Sequence, residues 1–195
     1  MRRLALVGFA LSLWTVCQLC GVTGQQITTR PTEAVDGHAT TLVNQRLNKC
    51  AYLWQQMAPW SYKPEIVAHF IGEHERLGIG DQWFASFVYG LANFGLRLNA
   101  KAPGGCYGPM DVKWSSGYGQ KAGCRNPDDL RDWRKNITAH CIEARVGVKR
   151  GHRGLNLCKY IMYPARPHDW GGGRFRKTWE KAERQLRAGY RAGKL

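Results

Sequence analysis

The sequence is short of acid. It carries 14 Asp and Glu against 29 Lys and Arg, a formal net charge of +15 at pH 7 over 195 residues. A surplus of that size draws polyanions: nucleic acid, acidic lipid headgroups or the anionic polymers of a cell envelope. The same charge also keeps a protein soluble without any partner. A long apolar run is lacking as well. Leu4 to Val16 is the longest apolar stretch, too short and too weakly flanked for a membrane span. Beyond residue 24 no two cysteines have the close C-x-x-C spacing of a zinc site, so no metal site is read and no cofactor is implied. No internal repeat or low-complexity segment stands out.

What is present begins with a secretory pattern. Arg2 and Arg3 precede the apolar core, and Val22-Thr23-Gly24 offers a cleavage point, so residues 1–24 read as a signal peptide and the protein as exported. Losing those two arginines takes the charge from +15 to +13. An exported location, periplasmic or extracellular, argues against nucleic acid as the polyanion. Cys50, Cys106, Cys124, Cys141 and Cys158 remain, which permits two disulfides and one spare thiol. Cys106 with Cys124 would clip the central loop, and Cys141 with Cys158 would staple two helices. Buried thiols are the plainer alternative.

Residues 25–40 are polar and aperiodic and read as an exposed leader. From Thr41 a helical spacing of Leu42, Leu47, Ala51 and Trp54 runs to just before Pro59. Trp60, Tyr62 and Pro64 form an aromatic connector, either a platform for sugar or the cover of a core edge. Pro64-Glu65 opens a second helix, carrying Ile66, Phe70, Ile71, His74 and Leu77 and ended by Gly78-Ile79-Gly80. His69 and His74, five apart, read as solvated or core-edge residues, and Glu73 and Glu75 as a solvated face. Asp81 is a suitable N-cap for a third helix with Trp83, Phe84, Phe87, Val88 and Leu91 inside. Asn93 stands at its C-terminal end, before the glycine-rich stretch to Val112.

Lys113 to Gly123 reads as loop. Asn126-Pro127-Asp128-Asp129 starts a helix with the stripe Leu130, Trp133, Ile137, Cys141 and Ala144. That stripe buries Asn136-Ile137-Thr138, so the triplet is discounted as a glycosylation site. Gly147 to Gly154 is a basic turn and Leu155 to Met162 a short helix. A glycine hinge at 171–173 leads to a basic amphipathic helix, Arg174 to Leu195, which docks on the body or lies on an anionic surface; docking is preferred.

The stretch from Asn93 resembles the signature of the soluble lytic transglycosylase (SLT) family, a branch of the lysozyme-like fold. Without a gap, Asn99-Ala100, Pro103, Gly105, Gly108 and Met110 fall on family identities, and Leu96 takes the place of a phenylalanine. Asn126-Pro127 with Asn136 to Ala139 is similar to the family's asparagine-isoleucine helix, and Leu155 to Pro164, with Tyr160, to its alanine-tyrosine-asparagine segment. The resemblance spans about Pro64 to Pro164. It implies a mainly α, lysozyme-like domain over residues 41–170, with a small loop or β segment at a groove, followed by the helix at 171–195.

The same register sets Asn93 where the family has its catalytic glutamate. Phe94, Pro109, Asp111 and Ile161 also depart from the pattern. The family chemistry needs one carboxyl group to protonate the glycosidic oxygen between N-acetylmuramic acid and N-acetylglucosamine, then to accept the C6 hydroxyl proton. An amide does neither, but still exchanges hydrogen bonds with sugar. The expectation is therefore an exported protein that binds peptidoglycan glycan, or a related anionic polymer, with cleavage impaired or absent. Asn93 would be a polar contact at the old cleavage point. Gly105 and Gly108 would let the backbone approach the sugar, Tyr107, Met110 and Tyr160 would line the groove, and Trp114 and Tyr118 would stack on rings. The alternatives are an active enzyme with a relocated acid, Asp111 first and Glu73 or Glu75 after it, and a non-enzymatic envelope scaffold. Membrane contact through the C-terminal helix is a further possibility.

Overall fold

The computed structural model describes residues 33–94, 96–98, 101–102, 105–162 and 173–195. The expected signal segment, the leader as far as residue 32, Asn99, Ala100, Pro103, Pro164 and residues 171–172 lie outside them. The chain divides into two compact units, Met1–Val35 and Asp36–Leu195, and all but the first turn of the described structure belongs to the second. The protein is mainly helical, as expected. Among the described residues there are seven α-helices, α1 (Glu33–Met57), α2 (Pro64–Arg76), α3 (Trp83–Phe94), α4 (Tyr118–Lys121), α5 (Trp133–Lys149), α6 (Gly154–Met162) and α7 (Arg174–Arg191). One small antiparallel sheet joins β1 (Lys101–Ala102), β2 (Cys106–Tyr107) and β3 (Val112–Lys113) in that order.

Several boundaries differ from expectation for physical reasons. α1 starts at Glu33, so part of the supposed leader is helix. Its first turns are polar in sequence, and polarity alone had made them look like loop. Cys50, Leu53 and Trp54 are its fully buried residues, while Leu42 is exposed. Asp81 sits inside a 3-10 turn, Gly80–Gln82, where it accepts a hydrogen bond from Gln82 rather than heading α3. The segment read as loop after β3 folds into a 3-10 turn, Trp114–Ser116, and α4. The single helix expected from Asn126 is two pieces. Asn126 caps a 3-10 turn, Pro127–Arg131, by accepting from Asp129 N–H at 3.2 Å, and Asp132 caps α5 by accepting from Arg134 N–H at 2.9 Å.

α3 lies at the centre of the packing, against α5, α6 and α7. Phe87 and Val88 are fully buried, with Phe87 tilted against Trp54 at 5.5 Å and edge-on to Phe70 at 6.1 Å. Trp54 donates its indole N–H to Ser61 at 2.9 Å, so the ring is buried without an orphaned donor. Tyr62 stands edge-on to Trp54 and covers the core edge, while Trp60 is 66% exposed. His74 is a fully buried core residue, not a core-edge one.

α7 uses its apolar face within the fold. Phe175 and Ala182 are buried, Trp179 is edge-on to Phe84 at 4.6 Å, and Phe175 stacks on Tyr89 at 5.9 Å. Burying a side chain such as Phe175 contributes about 1.5–3 kcal/mol. At Gly189 a Cβ would stand 2.9 Å from the ring of Tyr52, so the missing side chain lets the last turns approach α1. The docked reading of this helix describes the structure, with its cations beyond Arg174 on the outer face.

Candidate functional site

Three chain segments far apart in sequence converge beside the end of α3. The first is α3 itself. Tyr89 and Asn93 are four apart and share a helix face. Asn93 is half-buried, and its side-chain oxygen accepts a hydrogen bond from the Arg174 guanidinium at 2.8 Å. Arg174 is the first residue of α7, placed there by Gly173 in the left-handed region at φ 79°. After α3 the chain reverses through Leu96, which takes φ 59°, a conformation that costs a residue with a Cβ about 1–2 kcal/mol. Its side chain is fully buried. A Cβ at Gly90 would lie 2.5 Å from Leu96 Cδ2 and 2.7 Å from Met110 Sδ. The glycine on α3 is what lets both side chains pack there.

The second segment is the turn between β2 and β3. Asn136, fully buried on α5, holds it with three hydrogen bonds. Its Oδ1 accepts from Met110 N–H at 2.9 Å, and its Nδ2 donates to Tyr107 O at 2.7 Å and Leu130 O at 3.2 Å. Every polar atom of the amide is used for structure, which excludes it as a glycan acceptor. Gly108 has φ 69°, and a Cβ there would stand 2.5 Å from Asn136 Cγ and 2.8 Å from Leu130 O. Its bareness makes room for Asn136, not for sugar. Tyr107 and Met110 are 8% and 1% exposed and belong to the core, so they form the floor beneath the turn instead of lining an open groove. Gly105 fits its expected role better: φ is 77° and the space above it is open. Asp111 ends the turn, buried, at φ 53°, with its N–H donating to Gly108 O at 3.2 Å.

The third segment is α5 with α4 and α6 against it. Asn136, His140, Glu143 and Gly147 recur at steps of four, three and four and mark one helix face. His140 stacks on Tyr89 at 5.3 Å. Glu143 is half-buried, and its carboxyl is pushed up to about 8, first by burial and then by the negative charge of Asp111. The charge of Glu143 is felt in turn at Tyr89 and at Tyr118. The Tyr118 hydroxyl is raised by burial and by its hydrogen bond with Tyr160. A Cβ on Gly147 would lie 2.6 Å from the Tyr160 ring, so this glycine lets Tyr160 reach inward.

Tyr160 is also one wall of an open cleft of about 540 Å³, with Arg150, His152, Asn156 and Lys159. His152 stacks on the Tyr160 ring at 4.9 Å, and Arg150 lies 5.5 Å from its centroid. Trp114 is half-buried, its ring 3.2 Å from where a Cβ of Gly119 would stand; it covers α4.

The structure thus gathers Asp111, Tyr118 and Tyr160, and brings in Glu143, Tyr89 and Arg174, which sequence reasoning passed over. Glu143 was findable. It lies two turns beyond Asn136 on the same face, and Asn136 drew attention through the resemblance of its stretch to a family motif. The other proposed rescue acids are engaged elsewhere. Glu73 is held by Arg76, which lowers its carboxyl pKa, and Glu75 pairs with Arg46.

The disulfide expectation is corrected. Cys50, Cys124, Cys141 and Cys158 are buried free thiols, so no bond joins Cys106 to Cys124 or Cys141 to Cys158. Cys141 Sγ lies 3.5 Å from His74 Nδ1, and Cys158 donates to Ala85 O at 3.2 Å on α3. Burial raises the thiol of Cys141, and pushes that of Cys158 up to about 12. Both behave as small core residues. No cluster of metal-ligating side chains occurs among the described residues. Nor does any described helix have the length and apolarity to cross a membrane. Compared with protein-family models, curated proteins and solved structures, the chain finds no match.

Proposed function

We propose that this is an exported protein of the lysozyme-like, SLT type that binds the glycan of peptidoglycan, or a related anionic envelope polymer, in the groove beside α3. One observation carries the reading. The three segments that resemble the family's motifs, the turn ending at Asp111, the helix opening with Asn136-Ile137 and the helix of Tyr160, meet in space although they are spread over some fifty residues. The cleft at Tyr160 offers what glycan binding needs: an aromatic wall of Tyr160 with His152 stacked on it, the amide of Asn156, and the cations Arg150 and Lys159 for an anionic polymer. Cleavage by the family route is closed at position 93, because Asn93 is an amide whose oxygen already accepts from Arg174.

The test is sedimentation with purified sacculi. The protein is expected to pellet with them at moderate salt. Tyr160→Ala removes an aromatic contact worth about 1–1.5 kcal/mol and is expected to weaken binding roughly tenfold. Attachment that disappears at moderate salt and ignores Tyr160 would reduce the interaction to charge alone. Failure to pellet, with capture of an envelope protein instead, would favour the scaffold reading.

A further inference from the structure

The turn that joins α5 to α6 is fixed at both ends. At Gly151 the backbone takes φ 87°, and the His152 N–H reaches back to Gly147 O at 3.0 Å. Arg153 is committed to the same turn, where one guanidinium nitrogen donates to Val148 O at 2.7 Å and to His152 O at 2.8 Å. The Gly154 N–H donates to Gln82 Oε1 at 3.1 Å and ties the start of α6 to the turn before α3. His152 is thereby laid on the Tyr160 ring, 4.9 Å away and inclined by 22°. Beside this pair lies the open cleft of about 540 Å³, within the size range of small-ligand sites.

The polar groups on its wall are not used by the fold. Asn156 and Tyr160 are four apart on α6 and share a face. The Asn156 side chain is exposed and makes no hydrogen bond among the described residues, so its amide has donors and an acceptor to offer. Arg150 is also exposed, 5.5 Å from the Tyr160 centroid, and joins no ion pair among the described residues. Residues 145–162 contain Arg145, Lys149, Arg150, Arg153 and Lys159 and no Asp or Glu. No acid in this stretch offsets the positive field at the cleft, and such a field draws an anion. A stacked aromatic pair, an unused amide and an unpaired guanidinium stand side by side.

We propose that this cleft selects a charged amino sugar, an N-acetylhexosamine that bears a carboxylate or a phosphate. Its ring packs on the His152–Tyr160 pair, its acetamido group exchanges hydrogen bonds with Asn156, and its anion pairs with Arg150. The inference rests on the glycan reading above and deepens it by naming the residue that decides for charged over neutral sugar. Tyr160 supplies contact to any ring, whereas Arg150 offers two parallel N–H donors that only an anion repays fully.

The experiment titrates the nitrogen-15-labelled protein with N-acetylglucosamine, N-acetylmuramic acid and N-acetylglucosamine 6-phosphate, and follows the amide resonances of Gly151, His152 and Asn156. The first probe is neutral, the second carries a carboxylate and the third a phosphate, so the two charged probes separate the sources of the anion. Sedimentation with sacculi runs in parallel. At least one charged probe is expected to bind roughly tenfold tighter than the neutral one, the gain from a hydrogen bond to a charged group. Arg150→Gln is expected to bring that ratio below threefold and to leave N-acetylglucosamine binding unchanged, with thermal melting as the check on folding. Lys149→Gln removes the same charge at the last residue of α5, outside the cleft wall, and should keep the ratio. Equal loss of the ratio in both variants overturns the assignment, because the general field of a basic protein would then account for it. Adenosine monophosphate bound more tightly than all three sugars overturns the choice of a sugar. A protein that pellets with sacculi but binds charged and neutral sugars alike, or binds none of them, overturns this inference and leaves the glycan reading intact. Preference that depends on Arg150 without pelleting supports the cleft and removes peptidoglycan as its polymer. A protein that neither pellets nor binds any probe removes both.

Discussion

Lowering the pH should expose the cost of two buried histidines. His74 and His140 are both fully buried. His74 donates its Nδ1–H to Phe70 O, 2.8 Å away, while its Nε2 has no hydrogen-bond partner in the described structure. Neither ring nitrogen of His140 has one. Burial pulls His74 down to about 4, and burial with the nearby His74 pulls His140 down to about 3. The folded protein therefore refuses protons that the unfolded chain accepts near pH 6.5. Stability is complete above that value and declines as pH falls, until the folded pKa values are passed. From pH 7 to pH 5 each histidine removes ~2 kcal/mol. Glu143 works in the opposite sense. Its raised value makes folding less costly as pH falls from about 8, by ~2.5 kcal/mol over the same interval. The natural protein should therefore lose only the difference, ~1.5 kcal/mol, and the histidine contribution has to be read from a variant. His140→Phe keeps a ring against Tyr89 and removes the titration. Urea unfolding at both pH values should show the variant losing ~2 kcal/mol less than the natural protein. With an m-value of about 2 kcal/mol/M, that is roughly 1 M in the difference of midpoints. Parallel behaviour of the two proteins across this interval would refute the picture of His140 as a buried, neutral ring.

Two further outcomes follow from the site. Placing a glutamate at position 93 by Asn93→Glu should add little turnover with sacculi to that of the natural protein, because Arg174, whose guanidinium donates to Asn93 at 2.8 Å, would hold the new carboxylate ionised; an adjacent arginine lowers such a pKa by about 1–3 units. Asn93→Glu with Arg174→Met should release more muropeptide than the single variant, and equal release from the two would show that Arg174 does not control this position. Gly108→Ala should destabilise by ~2–4 kcal/mol in urea unfolding, since it combines a left-handed φ with a clash against Asn136, whereas Gly105→Ala, with an equally left-handed φ but open space, should lose only about 1–2 kcal/mol.

The helices were legible wherever one face carries the core. Phe87 and Val88 on α3, and Ile66 and Phe70 on α2, announce themselves by spacing, and both are buried as that spacing requires. The start of α1 was not legible, because the sequence of its first turns has no apolar rhythm to display. The break between the Pro127–Arg131 turn and α5 was hidden for a different reason. Asn126 and Asp132 are both good caps, and the apolar stripe runs through the join without changing phase. The cysteines misled because export was made to decide their chemistry. Their burial among α2, α3, α5 and α6 is set by packing, which the spacing of cysteines does not report.

The site was legible only in part, and the missing part is instructive. A resemblance read along one stretch of sequence draws attention to Asn93 and, eighteen residues on, to Asp111. It does not show what lies across the groove, because Glu143 and Arg174 arrive from helices fifty and eighty residues further on. Their placement also resolves a problem raised by the composition. In a chain with a surplus of fifteen positive charges, the general field favours ionised carboxylates, and an acid that is to keep its proton at pH 7 must be shielded from cations. Position 93 fails that condition, since Arg174 reaches it directly. At Glu143, by contrast, burial and then the negative charge of Asp111 raise the carboxyl. Arginine at the start of α7 and a carboxylic acid at position 93 are thus poorly compatible, whereas arginine and an amide form a satisfied hydrogen bond.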